Sequence, residues 1–160
     1  MEDTITTLKV QIVDFSPAFR EDFKRLNHEW MTAYFGKSTD NHLDRPEAII
    51  EDGGYILFAQ YKGQIVGTCA ILKESNKRFE IADMSVTPEF RGRNIGKQLL
   101  SAAVEQVKKA NAREIYLVTS SKLTVSVEMF KTYGFRETGF DAEMSMYDAT
   151  DIKMTLNLKC

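Results

Sequence analysis

The alternation of apolar and polar positions divides the chain into short β-runs and amphipathic helices. Leu8, Val10 and Ile12 alternate as a first strand, and Ser16-Pro17 then opens a helix whose apolar stripe is Phe19, Phe23, Leu26, Trp30 and Ala33. Asp44-Arg45-Pro46-Glu47 has capping-box spacing and predicts a short second helix through Ile49 and Ile50, ended by Gly53-Gly54. YILFAQY and QIVGTCAIL are two β-rich runs separated by Lys62-Gly63, the chemistry of a tight hairpin. Residues 77 to 87 form the next strand, and here the alternation slips: Phe79 and Ile81 are apolar at odd positions, Met84 and Val86 at even ones. A slip of one residue near Ala82-Asp83 predicts a β-bulge, which splays a strand from its neighbour and frees backbone groups for binding.

Further along, Leu99, Leu100, Ala103, Val104 and Val107 make a helical stripe, and EIYLV (114 to 118) reads as a short buried strand. A helix is expected from about Lys122, with Leu123, Val127 and Phe130 inward and Gly134 as its left-handed cap. A strand near 136 to 140, an acidic loop DAEMSMYDATD, and a last strand with Ile152, Met154, Leu156 and Leu158 alternating close the chain. The order is strand, two helices, three strands, helix, strand, helix, two strands, a mixed α/β (α+β) arrangement with a largely antiparallel start.

Composition narrows the functional classes. A chain of 160 residues, 43% hydrophobic and 28% charged, fits one ordinary globular domain over 1–160, with its core between about 8 and 158. A formal net charge of −2 supplies no general field for nucleic acid or an anionic membrane, so an anion site has to be local. Cys69 and Cys160 lie far apart, which disfavours a zinc site or a disulfide framework and suits a reducing cytosol. His28 and His42 have no metal-ligand spacing. No apolar run approaches the roughly 20 residues of a membrane helix, and the expectation is a soluble, cytoplasmic protein without a metal.

The local anion site suggests itself at RGRNIGK, residues 91 to 97, between the bulged strand and a helix. Such a loop aims backbone N–H groups and a positive helix end at a phosphate, with Arg91, Arg93 and Lys97 adding charge around Gly92, Asn94, Ile95 and Gly96. The spacing is neither GxxxxGK[ST] nor GxGxxG. A solvated basic turn is the alternative reading of the isolated heptapeptide.

Read as a whole, MSVTPEFRGRNIGKQLL resembles the pyrophosphate-binding core of the GNAT superfamily of acyl-CoA N-acyltransferases, whose pattern is Arg or Gln, x, x, Gly, x, Gly or Ala after a bulged strand. The match runs from Arg91 to Gly96, with Asn94 in place of the first glycine, a substitution suited to left-handed backbone angles. FEIADMSVTPEFRGRNIGKQLL, TSSKLTVSVEMFKTYGF and TDIKMTL are similar to small bacterial acetyltransferases also found fused to MarR-like regulators. The resemblance implies a mostly antiparallel central sheet with a splayed, bulged strand, and acetyl-CoA as co-substrate. Its pantetheine would pair with the backbone of Met84 and Val86 around Ser85, its pyrophosphate would lie on Arg91 to Lys97, and a bulge N–H would steady the oxyanion.

The same resemblance implies Glu80 as general base, with Asp83 or a water relay as alternatives, since Phe79 and Ile81 point the other way. Many family members carry a tyrosine four residues before the terminal Gly-Phe pair to protonate the departing thiolate. Here that position, at the cofactor site, is Phe130, which has no proton to give, so Tyr133 or Tyr147 would substitute. Ser121 and Lys122 are placed to touch the cofactor or to cap the helix.

The implied activity is N-acetyl transfer from acetyl-CoA to a primary amine of a small molecule, peptide or protein, by a monomer or homodimer. Acidic residues in the flanking segments (Asp40, Asp44, Glu47, Glu51, Asp52, Asp141, Glu143, Asp148 and Asp151) suit an amine, and Trp30 and Tyr34 are candidates for the acceptor pocket. The competing reading is a non-catalytic acyl-CoA-binding sensor or partner module, which Phe130 permits. A nucleic-acid binder is opposed by the near-neutral charge and the lack of a basic stripe.

Overall fold

The computed structural model of the chain describes residues 7–35, 45–139 and 151–158. Its elements follow the predicted order: β1 (Gln11–Asp14), α1 (Arg20–Phe35), α2 (Glu47–Glu51), β2 (Tyr55–Tyr61), β3 (Gln64–Lys73), β4 (Arg78–Val86), α3 (Ile95–Lys109), β5 (Glu114–Thr119), α4 (Thr124–Tyr133), β6 (Arg136–Thr138) and β7 (Ile152–Asn157). The strands form one sheet in the order β1-β2-β3-β4-β5-β7-β6. All neighbours are antiparallel except β4 and β5. This is the mixed, mostly antiparallel sheet expected from the sequence.

Two apolar clusters cover the two faces. On one, Leu99, Leu100, Ala103, Val104 and Val107 of α3 pack against Leu57, Cys69, Ile71, Phe79, Ile81, Ile115, Leu117 and Met154. On the other, Phe23 and Leu26 of α1 and Ile49 of α2 meet Ile56, Phe58, Ile65 and Ala70. The β2–β3 hairpin turns on Lys62 and Gly63, both at positive φ (50° and 81°), the backbone a two-residue type I′ turn needs.

Two boundaries, at β1 and α4, differ from the sequence reading. Leu8 and Val10 precede β1 instead of belonging to it, because other partners take their backbone. Leu8 N–H donates to the Arg93 carbonyl at 3.0 Å, and Gln98 holds both, accepting from Val10 N–H at 3.2 Å and donating to the Leu8 carbonyl at 2.8 Å. α2 has no side-chain cap at Pro46, and Asp44 lies outside the described residues. α4 starts at Thr124 and not near Lys122, because residues 120–123 form a turn in which Leu123 N–H donates to the Ser120 carbonyl and Lys122 N–H to the Ser120 hydroxyl.

Candidate active site

The phase slip in the strand at 77 to 87 is a bulge in β4. Ala70 of β3 pairs with Asp83 and Ile71 with Ile81, so Ala82 is the extra residue. Before it, Phe79 and Ile81 face the α3 layer; after it, Met84 and Val86 do, partly buried. Glu80, Asp83 and Ser85 are thereby turned to the α1 face, where the Ser85 hydroxyl donates to the Leu26 carbonyl at 2.8 Å.

The bulge coincides with a parting of strands. β4 and β5 pair only at Arg78–Glu114, Phe79–Ile115 and Glu80–Tyr116, although β4 runs on to Val86 and β5 to Thr119. Thr87 N–H donates to the Val66 carbonyl of β3 at 2.8 Å. Since antiparallel residues alternate in direction, Met84 and Val86 present their backbone to the open side. The Val86 carbonyl accepts there from Arg91 Nε at 3.0 Å. A wedge-shaped gap lined by peptide groups thus opens between two strands of one sheet.

At the mouth of the wedge lies the basic loop. Gly92 and Asn94 adopt positive φ (77° and 64°), and Asn94 flanks α3 in the left-handed region, as expected for the residue in the glycine position. Its side-chain amide donates to the Thr7 hydroxyl at 2.7 Å instead of capping the helix. The amides of residues 94–97 find no hydrogen-bond partner among the described residues, as the first turn of a helix dictates, the first bond of α3 running from Gln98 N–H to the Asn94 carbonyl. Arg91, Arg93 and Lys97 are exposed around them. A Cβ on Gly96 would sit 3.5 Å from Met129 Sδ of α4, an ordinary contact, so the glycine brings α4 close without being sterically obligatory. Unpaired amides, a helix N-terminus and three cations make a chemically suitable place for a pyrophosphate.

On the opposite side of β4, Glu80 projects beside Tyr116, whose hydroxyl lies 3.4 Å from Glu80 Oε1 and donates to Glu74 Oε2 at 2.7 Å. Arg78 is committed elsewhere, ion-paired to Glu74 and Glu114 and stacked on the Tyr116 ring. Asp83 is 3% exposed. Burial, then the Glu74 hydrogen bond and the Glu80 charge, push the Tyr116 phenol well above its ordinary range, so it stays protonated. Sequence reasoning missed Tyr116, whose place in EIYLV reads only as a strand aromatic; the register with Glu80 is what reveals it.

The acid candidates are placed differently. Phe130 is 6% exposed, its ring 5.5 Å from that of Phe135. Phe135 N–H donates to the Phe130 carbonyl and Gly134 N–H to the Lys131 carbonyl, the paired bonds of a Schellman motif with its apolar contact. The ring of Phe130 therefore closes the end of α4. Tyr133 packs against the same core, its ring 6.4 Å from Phe135. Ser121 is bound by Asp151: its N–H and hydroxyl donate to the two carboxylate oxygens at 2.8 and 2.7 Å. Those bonds hold the Asp151 carboxyl below its ordinary range. Lys122 is exposed beside it. Of the acidic residues in the flanking segments, Glu47 pairs with Arg20 and Glu51 with Arg45. Asp40, Asp44, Asp141, Glu143, Asp148, Tyr147 and His42 lie outside the described residues, as do the side chains of Trp30 and Tyr34. Among the described residues, no group of three or more His, Cys, Asp or Glu side chains could hold a metal, and no helix is long and apolar enough to cross a membrane.

The fold is shared with solved structures. An acetyltransferase of GNAT family from Staphylococcus aureus Mu50 superposes with a TM-score of 0.82 at 23% identity, over 94% of this chain and 100% of its own. YncA of Salmonella typhimurium, solved with acetyl-CoA, gives 0.78 at 18% identity over 95% of each chain. In sequence, the chain is 34% identical over 91 residues to an uncharacterized N-acetyltransferase of Chlorobaculum tepidum, covering 57% of this chain and 56% of that protein. It spans about half the length of the curated relatives that it matches at a third identity. The model of the acetyltransferase (GNAT) family matches residues 16–135, which take in the bulged strand, the basic loop and the end of α4, and the chain belongs to that family.

Proposed function

We propose that the protein is an N-acetyltransferase that moves an acetyl group from acetyl-CoA to a primary amine of a small molecule, peptide or protein by direct attack. The observation that carries this reading is the parting of β4 from β5 after three residue pairs, with the amides of residues 94–97, which find no partner among the described residues, at its mouth. Pantetheine fits the wedge as a surrogate strand, pairing with the outward backbone of Met84 and Val86 beside Ser85. The pyrophosphate rests on Arg91, Gly92, Arg93, Asn94, Ile95, Gly96 and Lys97. YncA, which shares the fold, is solved with acetyl-CoA, and this supports acetyl-CoA as the co-substrate.

In the reaction the amine nitrogen bonds to the thioester carbonyl carbon, a bulge N–H steadies the oxyanion, and the C–S bond breaks to release the coenzyme A thiolate. Glu80 takes the proton that the amine loses. Tyr133 donates to the thiolate, since the Phe130 ring cannot. Ser121 and Lys122 bound the cofactor side near the start of α4, where Asp151 fixes Ser121. Glu80→Gln is expected to lower kcat on the order of 100-fold with little change in the acetyl-CoA KM, the range of a positioned base. Stopped-flow or thiol-release kinetics across pH measure it, and wild-type rates would remove Glu80 from the mechanism.

One observation favours a second reading. The absence of a hydroxyl at Phe130, whose ring closes a helix end, suits a module that binds acyl-CoA without turning it over. Thiol release in the presence of amines separates the two.

A further inference from the structure

The side of the sheet facing away from α3 carries a chain of polar groups ending on Glu80. Arg78 pairs with Glu74 in the turn between β3 and β4, and Glu74 in turn accepts the Tyr116 hydroxyl at 2.7 Å. On the far side of that hydroxyl, Glu80 Oε1 stands 3.4 Å from the same oxygen. A phenol has one proton, and the shorter bond commits it to Glu74. The remaining lone pairs of Tyr116 face Glu80. An ionised Glu80 meets them as lone pair against lone pair, whereas a protonated Glu80 donates to them.

We propose that Tyr116 is a positioning residue that tunes the protonation of Glu80: because its proton is held by Glu74, its oxygen meets Glu80 as an acceptor and favours the protonated carboxyl, making Glu80 a stronger base than it would be without that oxygen. This rests on the reading of Glu80 as the base. The geometry explains why the arrangement is stable. Tyr116 is 7% exposed, and burial and the two carboxylates keep its phenol protonated. Glu74 stays ionised: burial works against the charge, but the bonds from Tyr116 and Arg78 outweigh it and hold the carboxyl below its ordinary value. Among the described residues, charged groups beside the cluster include Glu114 on β5, paired with Arg78, and Lys153 on β7, whose Nζ is 5.3 Å from the centre of the Tyr116 ring. On β4 itself, Asp83 lies beyond the bulge. On α1, which packs over β4, Arg25 is held by Asp22 and the Ile65 carbonyl, and His28 is exposed.

The test is the titration of Glu80 in the full chain without substrate, followed by NMR of 13C-carboxyl-labelled glutamate, with the Glu80 signal assigned by its loss in Glu80→Gln. Tyr116→Phe keeps the ring and its stack with Arg78 and removes only the oxygen. It is expected to lower the Glu80 midpoint by roughly 0.4 to 1 pH unit, the range set by one hydrogen bond. Glu74→Gln is expected to lower it as well, and by more in the parent than in the Tyr116→Phe background, because without the Glu74 charge the Tyr116 proton turns to Glu80. A midpoint that stays or rises in Tyr116→Phe overturns the proposal, as does an equal effect of Glu74→Gln in both backgrounds. Glu80→Gln with wild-type turnover would sink the base assignment alone, since the titration still decides what Tyr116 does to Glu80.

Discussion

Gly134 stands just past α4 at φ +127°, and an added Cβ would come 3.3 Å from Leu156 Cδ1. Gly134→Ala is therefore expected to cost about 1–2 kcal/mol, from the left-handed backbone alone, in urea denaturation. The glycine was legible in the sequence because the Gly-Phe pair follows a helical stripe. Asn94 was legible for a similar reason, as the residue type that accepts positive φ in the glycine position of the loop. Gln98 and Tyr116 were not. Their importance lies in partners 90 and 36 residues away in the chain, Leu8 for one and Glu80 for the other, and no local pattern encodes such pairs.

Among the elements, β4 shows how far patterning reaches. Apolar residues that change from odd to even positions have to keep facing one layer, so the bulge at Ala82 is dictated by Phe79, Ile81, Met84 and Val86 together. Patterning failed where side chains compete with regular structure: the Ser120–Leu123 turn delays α4, and Gln98 draws Leu8 and Val10 out of the ladder. The tether between the start of β7 and the turn before α4 gives a prediction of its own. Asp151 contributes to stability while ionised. Its native value is depressed, so the contribution is present above the ordinary aspartate range and lost as pH falls below about 4. Asp151→Asn should reduce protection of the Ser121 amide in hydrogen exchange at neutral pH while the amides of β5 keep theirs; unchanged protection of Ser121 would contradict the tether. The loop before α3 gives another. Gly96→Glu sets a carboxylate at the helix N-terminus, in the loop proposed to hold the pyrophosphate, and the backbone has room for a Cβ, so binding of acetyl-CoA is expected to weaken at least tenfold by calorimetry while thermal unfolding stays within a few degrees.

At the scale of the molecule, one helix carries the core and also starts at the site. Leu99, 0% exposed on α3, packs against the strands beneath it, and Leu99→Ala is expected to lower stability by about 2–5 kcal/mol by chemical denaturation. The first turn of α3 is tied to the start of the chain through Gln98 and Leu8, next to the amides of residues 94–97, so the loop proposed to hold the pyrophosphate is braced against the core. The most direct test is calorimetric titration of the protein with acetyl-CoA, followed by a panel of primary amines while free thiol is recorded. Micromolar binding with amine-dependent thiol release is the predicted result. Binding without release from any amine would contradict catalysis in favour of a binding module, and no binding at all would contradict the assignment of the wedge and its loop.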